Sequence, residues 1–187
     1  MMIPRRAVAA LLSLPFAAAR AQAAQADGGA SRLREGTRPA AAVTFQDAGG
    51  KEHSFADFAG RGLVVNLWAT WCPPCVAEMP ALERMAARLG DAGIVVLPLS
   101  SDRGGRAQVE GFYRRVGITG LGVWLDSRGA AARGMGVRAL PTTVIVDREG
   151  MERARLEGEA EWDHPAMMAA VRRLVGPRAP GAATTRS

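Results

Sequence analysis

Residues 66–80 read NLWATWCPPCVAEMP and hold the only two cysteines of a 187-residue chain. Cys72 and Cys75 are two residues apart, and Pro73 and Pro74 fill the gap. The run before them, LVVNLWA from Leu63 to Ala69, is rich in valine and reads as a buried strand. After them Val76, Met79, Leu82, Met85 or Ala86, and Leu89 recur on one face of a helix. The two thiols therefore lie on a strand-to-helix join, with the helix starting at about Pro73 or Pro74. Prolines are tolerated there, because the first-turn N–H groups lack intrahelical partners anyway. A sulfur at a helix N-terminus faces free N–H groups and the positive end of the macrodipole, which favour a thiolate. On this reading Cys72 is the exposed nucleophile and Cys75, one turn further in, is shielded.

Three chemistries can use two close cysteines. A metal site needs two or more further ligands, and the chain offers only His53 and His164, neither near the cysteines in sequence. A structural staple closing so short a loop removes little chain entropy. A dithiol/disulfide switch uses the spacing, the prolines and the helix start together, and is the reading adopted.

Outward from this stretch the pattern is mixed α/β. AAVTFQ, DAGG and KEHSF read as an N-terminal β-hairpin, GIVVLPLSS as a second buried strand, and Val109, Phe112, Tyr113 and Val116 as the inner face of another helix. A strand, helix and strand in that order imply parallel neighbours. LGVWLD is a short strand and SRGAAARGMGV at best a short helix. TTVIVDREGMERARLEG reads as two strands around a turn at Asp147 to Gly150. Asp163 and Pro165 open a last helix whose Met168, Val171, Leu174 and Val175 face the core. The sum is a mixed central sheet with helices on both faces.

The chain opens with Arg5 and Arg6, an uncharged run from Ala7 to Ala19, and small residues in A-x-A arrangements. This is the plan of a secretory signal, so residues 1–26 are expected to direct export to the periplasm, with an uncleaved anchor as the alternative. The run is too short for a spanning helix of about 20 apolar residues. Residues 27–37 read as a polar lead-in, 38–176 as one domain and 177–187 as a disordered tail. The formal charge is +6, half of it from Arg5, Arg6 and Arg20. No basic run alternates with stacking aromatics, which argues against nucleic-acid binding.

These residues resemble the thioredoxin superfamily and, within it, the periplasmic TlpA-like thiol:disulfide oxidoreductases, which include the cytochrome c maturation proteins. The resemblance covers about Arg38 to Val175. It rests on NLWATWCPPCVAEMP, on FADFAGRGLVVN before it and on RALPTTVIVDREG after it, while EGEAEW near Trp162 is similar to the end of TlpA. It implies a thioredoxin fold, with Pro141 as a cis-proline facing the dithiol and the backbone of Leu140 pairing with an extended substrate. Trp71, next to Cys72, is expected on the substrate-facing surface and Trp68 in the core.

Pro80 lies inside the helix, where it removes the bond to the Val76 carbonyl; by resemblance it is a structural kink. Glu78 is three residues after Cys75 and so on the same helix face. Where cytosolic members of the superfamily carry a buried aspartate, this chain has Asn66, which cannot titrate, and the TlpA-like branch has a glutamate where Glu78 stands. A part-buried carboxylate has a raised pKa and can exchange a proton with Cys75, and its charge opposes thiolate formation, which favours a reductant. His53 and His164 are read as surface or capping residues, and Met79, Met85, Met167 and Met168 as core packing.

The function expected is a monomeric periplasmic dithiol reductase that needs no cofactor. Cys72 attacks, and Cys75, deprotonated with help from Glu78, resolves. The resemblance implies a membrane thiol carrier of the CcdA/DsbD type as electron donor. It also implies disulfide-bearing clients in oxidase copper-site or cytochrome c assembly. A disulfide-forming oxidase or isomerase of the same fold, and a non-enzymatic metal chaperone using the dithiol, are the alternatives.

Overall fold

The valine-rich run around Asn66 becomes the middle of one eight-stranded sheet. The computed structural model describes residues 26–178, so the expected signal over 1–26 and tail over 177–187 fall almost wholly outside the described residues. In chain order the strands are β1 (Arg34–Pro39), β2 (Thr44–Asp47), β3 (Glu52–Ser54), β4 (Gly62–Trp68), β5 (Ile94–Ser100), β6 (Trp124–Leu125), β7 (Thr142–Val146) and β8 (Met151–Glu157). The helices are α1 (Pro73–Leu89), α2 (Gly105–Val116), α3 (Ala130–Gly134) and α4 (Pro165–Val175). Short 3₁₀ turns lie at Ala30–Arg32, Phe55–Phe58 and Gly90–Ala92.

The sheet order is β1-β8-β7-β4-β5-β6-β2-β3. β4, β5 and β6 run parallel, joined by helical crossovers, while the remaining neighbours are antiparallel. Alternation along β4 sorts its side chains between two cores. Val64 and Trp68 join Met79, Leu82 and Met85 of α1, Phe112 of α2 and Val171 of α4 on one face. Leu63, Val65 and Leu67 join Phe45 of the hairpin and Ala131 of α3 on the other. Asn66 is in phase with Val64 and Trp68, so a fully buried amide is aimed at α1. Gly62 admits β4 close to α4, since a Cβ there would lie 2.2 Å from a Val175 methyl.

Two expectations are corrected. Val116, read as an inner-face residue of its helix, is 43% exposed, because α2 ends there and Gly117 turns the chain with a positive φ. Residues 27–37, read as a lead-in ahead of a domain beginning at residue 38, are part of the fold. The Asp27 side chain accepts from the Gly29 and Ser31 amides, and β1 pairs antiparallel with β8. All six β1 residues are exposed, so an edge strand held by backbone pairing and by the Arg38–Glu152 and Glu35–Arg173 ion pairs leaves no hydrophobic periodicity to read. No described helix is long and apolar enough to cross a membrane.

Candidate active site

Cys72 is the N-cap of α1, and its Sγ accepts a hydrogen bond from the Cys75 amide at 3.4 Å. Pro73 and Pro74 occupy the first turn, where no N–H is missed. The helix continues through Pro80 to Leu89. Cys72 and Cys75 form a disulfide with their Cα atoms 5.3 Å apart. Cys75 is wholly buried, and Cys72, expected to be exposed, is only 5% exposed. The correction has a geometric cause: joined to Cys75, the outer sulfur lies along the helix end. Trp71 is 67% exposed beside it, while Trp68 is buried against Phe112 and stacked on Tyr113.

The Leu140–Pro141 peptide is cis. Because Thr142 pairs with Leu67, it lies at the same end of the sheet as the exit from β4 to the dithiol. Pro141 is buried and Leu140 half-buried.

Glu78 is 3% exposed and sits among three donors. Asn66 Nδ2 donates to Oε1 at 2.7 Å, and Trp162 Nε1 (2.9 Å) and the Ala160 amide (3.2 Å) donate to Oε2. Burial nevertheless dominates and pushes the carboxyl up to about 7, with the Trp162, Asn66 and Ala160 bonds pulling down and Glu159 adding a small push upward. Asn66 Nδ2 also donates to Thr143 Oγ1 at 2.9 Å, its cross-strand neighbour, while its Oδ1 has no partner among the described residues. Rotating the amide would aim Oδ1 at both groups. Asn66 can therefore donate to an ionised Glu78 or accept from a protonated one, with Thr143 adapting as either donor or acceptor.

A second buried acid braces the loop on the other side of the cysteines. Asp102 accepts from the Thr70 amide (2.9 Å), Thr70 Oγ1, Ser100 Oγ and Gln108 Nε2 (each 2.8 Å). Thr70 is thereby pinned two residues before Cys72. The sequence marks neither Asp102 nor Trp162 as a site residue. Trp162 closes the EGEAEW segment, which stands out only by its likeness to the end of TlpA. Asp102 in SSD carries no periodic or spacing signal.

The histidines are engaged elsewhere. His164 caps α4, its Nδ1 accepting from the Ala166 amide, and His53 bridges Asp47 and Asp57 in the hairpin. Met79, Met85, Met167 and Met168 are core residues. Among the described residues no three His, Cys, Asp or Glu side chains converge as metal ligands would.

Residues 35–171 match the family model described as Redoxin. The thiol-disulfide oxidoreductase ResA of Geobacillus thermodenitrificans is 31% identical over 114 residues, which are 61% of this chain and 64% of that protein. The thioredoxin-like protein YneN of Bacillus subtilis is 33% identical over 103 residues, 54% of this chain and 59% of that one. The chain thus matches under two thirds of the length of these relatives. Among solved structures, the thioredoxin domain of a thiol-disulfide oxidoreductase from Bacteroides vulgatus superposes with a TM-score of 0.63 at 22% identity, covering 77% of this chain and 99% of that one. The pneumococcal exposed lipoprotein thioredoxin of Streptococcus pneumoniae gives 0.56 at 28% identity, covering 66% and 94%. With a thioredoxin fold and a C-P-P-C pair at the start of α1, the chain belongs to the Redoxin family and is similar to the thiol-disulfide oxidoreductases named ResA.

Proposed function

We propose that the protein is an exported thiol:disulfide oxidoreductase acting as a dithiol reductase. The observation that carries the reading is a vicinal cysteine pair at a helix N-terminus with a buried carboxylate, Glu78, one helical turn inward. Similarity to the thiol-disulfide oxidoreductases ResA supports the reaction class.

In the reduced protein Cys72, with the Cys75 amide and the helix terminus favouring its thiolate, attacks one sulfur of a client disulfide and expels the other as a thiolate. Cys75 then gives its proton to Glu78 and attacks Cys72 Sγ. The Cys72–client bond breaks, the client leaves as a dithiol after taking up protons, and two electrons have passed to it. The protein is left with the Cys72–Cys75 disulfide, which a membrane thiol carrier of the CcdA/DsbD type reduces again. Trp71 and the Leu140–Pro141 segment line the approach to Cys72 and hold the client chain. The reductase direction follows from charge: an acid beside the thiols with no basic partner raises the cost of the thiolate form. Clients are proteins that must present reduced cysteines for copper-site or haem insertion outside the cytoplasm.

Trapping tests the reading. Cys75→Ser keeps the attacker and removes the resolver, so mixed disulfides with clients should accumulate on non-reducing gels. Cys72→Ser should give none of that set. Equal trapping by both variants would refute the division of labour. A redox titration giving a potential near that of strong oxidants such as DsbA, about −120 mV, would refute the direction.

A further inference from the structure

The acid proposed above as the proton acceptor of Cys75 takes two of its three hydrogen bonds from one segment, the connection from β8 to α4. The Ala160 amide and Trp162 Nε1 both donate to Oε2. Trp162 is wholly buried, so its indole N–H has no water to turn to and its ring cannot swing away without opening the core. The backbone of this connection is in turn held from the N-terminal side. Arg32 donates through two nitrogens to the carbonyls of Glu159 (2.9 Å) and Glu157 (3.1 Å), and the Glu161 amide donates to the Gly28 carbonyl at 3.0 Å. Asp27 caps the turn that presents Arg32. Gly28 has a φ of +65° and passes so close to α4 that a Cβ there would lie 2.4 Å from the His164 Cβ. Only glycine fits both conditions.

We propose that Trp162 is a positioning residue for Glu78 and that the Asp27–Arg32 segment is the clamp that keeps it in place, so that release of a client is governed partly from outside the dithiol. This rests on Glu78 acting as the base for Cys75. Two N–H groups aimed at Oε2 stabilise the ionised carboxylate against the burial that opposes it. If the connection drifts outward, both bonds lengthen together, and Glu78 holds its proton to higher pH. It then accepts the Cys75 proton only after losing its own, and resolution slows at neutral pH.

The charged and titratable groups around Glu78 are few. Cys75 lies one turn before it on α1, and Asn66 and Thr143 on the sheet are neutral. The connection brings Glu159 and Glu161, followed by Asp163, paired with Arg84, and by His164. The N-terminal segment brings Asp27 and Arg32. A cleft of ≈ 390 Å³ lies where the two segments meet α1, with Glu78, Ala77, Arg32 and Gly29 on its walls, so water reaches the edge of this cluster.

The experiment measures client release from Cys72 between pH 5 and 9 in full-length protein, for wild type, Trp162→Phe, Arg32→Ala, Arg32→Lys and Glu78→Gln, with 13C NMR of the Glu78 carboxyl in the same series. Trp162→Phe keeps the ring and removes only the donor. It should move the midpoint of the release profile and the carboxyl titration upward by about one pH unit, the effect of one hydrogen bond to a charged group. Arg32→Ala should move both in the same direction by less. Arg32→Lys separates clamp from charge: a lysine keeps the positive charge but not the two-pronged grip, so under the proposal it behaves like Arg32→Ala. An Arg32→Lys profile matching wild type would remove the clamp, and unmoved midpoints in both Trp162→Phe and Arg32→Lys, with Glu78→Gln altered, would overturn the whole proposal. A wild-type profile in Glu78→Gln would instead remove the base reading beneath it. If Trp162→Phe fails to fold, the exposed Arg32 still decides the question.

Discussion

Two buried carboxylates flank the cysteines, and they are used differently. Asp102 is wholly buried and receives four hydrogen bonds, two of them from Thr70 in the loop that leads to Cys72. Glu78 is nearly as buried, receives three hydrogen bonds, and still has its carboxyl pushed up to about 7. The donors to Asp102 come from β5, the Thr70 loop and the first turns of α2, so the acid braces a turn. The donors to Glu78 come from a sheet amide that can rotate and from a connection held by the N-terminal segment. Under the proposed function Glu78 carries a proton while Asp102 holds the turn, so burial, which the two share, does not by itself separate the two roles.

The largest effect expected is loss of the chemistry that gives this comparison its meaning. Cys72→Ser should abolish client reduction in a dithiol-dependent assay while leaving the fold and the Glu78 titration in place. Residual turnover would show that Cys72 is not the attacking thiol and would detach Glu78 from the reaction as proposed.

Next, Glu78→Gln should slow client release by about 100-fold if proton acceptance is its main contribution. It should also lower the thiol pKa values and make the reduction potential less negative, because a negative charge near the sulfurs is gone. Thiolate absorbance and release rates followed from pH 5 to 10 check both, and the constants belong to the coupled group of acid and thiols. Unchanged curves would make Glu78 a post like Asp102.

Asp102→Ala should do the opposite. It leaves the Thr70 amide and the Ser100 hydroxyl without their acceptor, at a cost of about 2–4 kcal/mol in denaturant unfolding. The midpoint of the release profile should stay where it is. A shifted midpoint would mean that Asp102 also handles protons.

The smallest effect separates the acids by stability alone. Folded Glu78 holds its proton up to about pH 7, whereas in the unfolded chain it releases it near 4.5, so between these values the folded state binds more protons. Stability from this group is full below the unfolded value and declines as pH rises through the window, by up to about 3 kcal/mol. Chemical unfolding at pH 5 and pH 8 should show that decline in wild type and lose most of it in Glu78→Gln. Equal slopes in the two proteins would place the proton elsewhere.

Local spacing suffices for Cys72 and Cys75 on a strand-to-helix join, for the valine-rich central strand, for the β-hairpin at Asp47 to Lys51 and for Glu78 on the Cys75 face of its helix. These are short-range facts, set by the periods of 3.6 and 2 and by what proline permits in a first helical turn. Trp68 is buried as the last residue of the valine-rich strand, and Trp71, past its end and next to Cys72, is exposed. The donors of Glu78 lie 12, 82 and 84 residues away along the chain, and no local pattern reports them. They meet only because β7 and β8 return beside β4 and hand the chain to α4. The same holds for residues 27–37: their polar composition reads as a lead-in, yet Arg32 reaches 125 and 127 residues ahead to grip carbonyl groups. Backbone carbonyls are the same whatever side chain they carry, so a clamp made on them leaves no mark on the partner's sequence. The amino-acid order determined the chemistry available, two thiols and an acid one turn apart. Only the tertiary structure decided which distant donors surround that acid and how readily it gives up its proton, because desolvation and hydrogen bonding act through space.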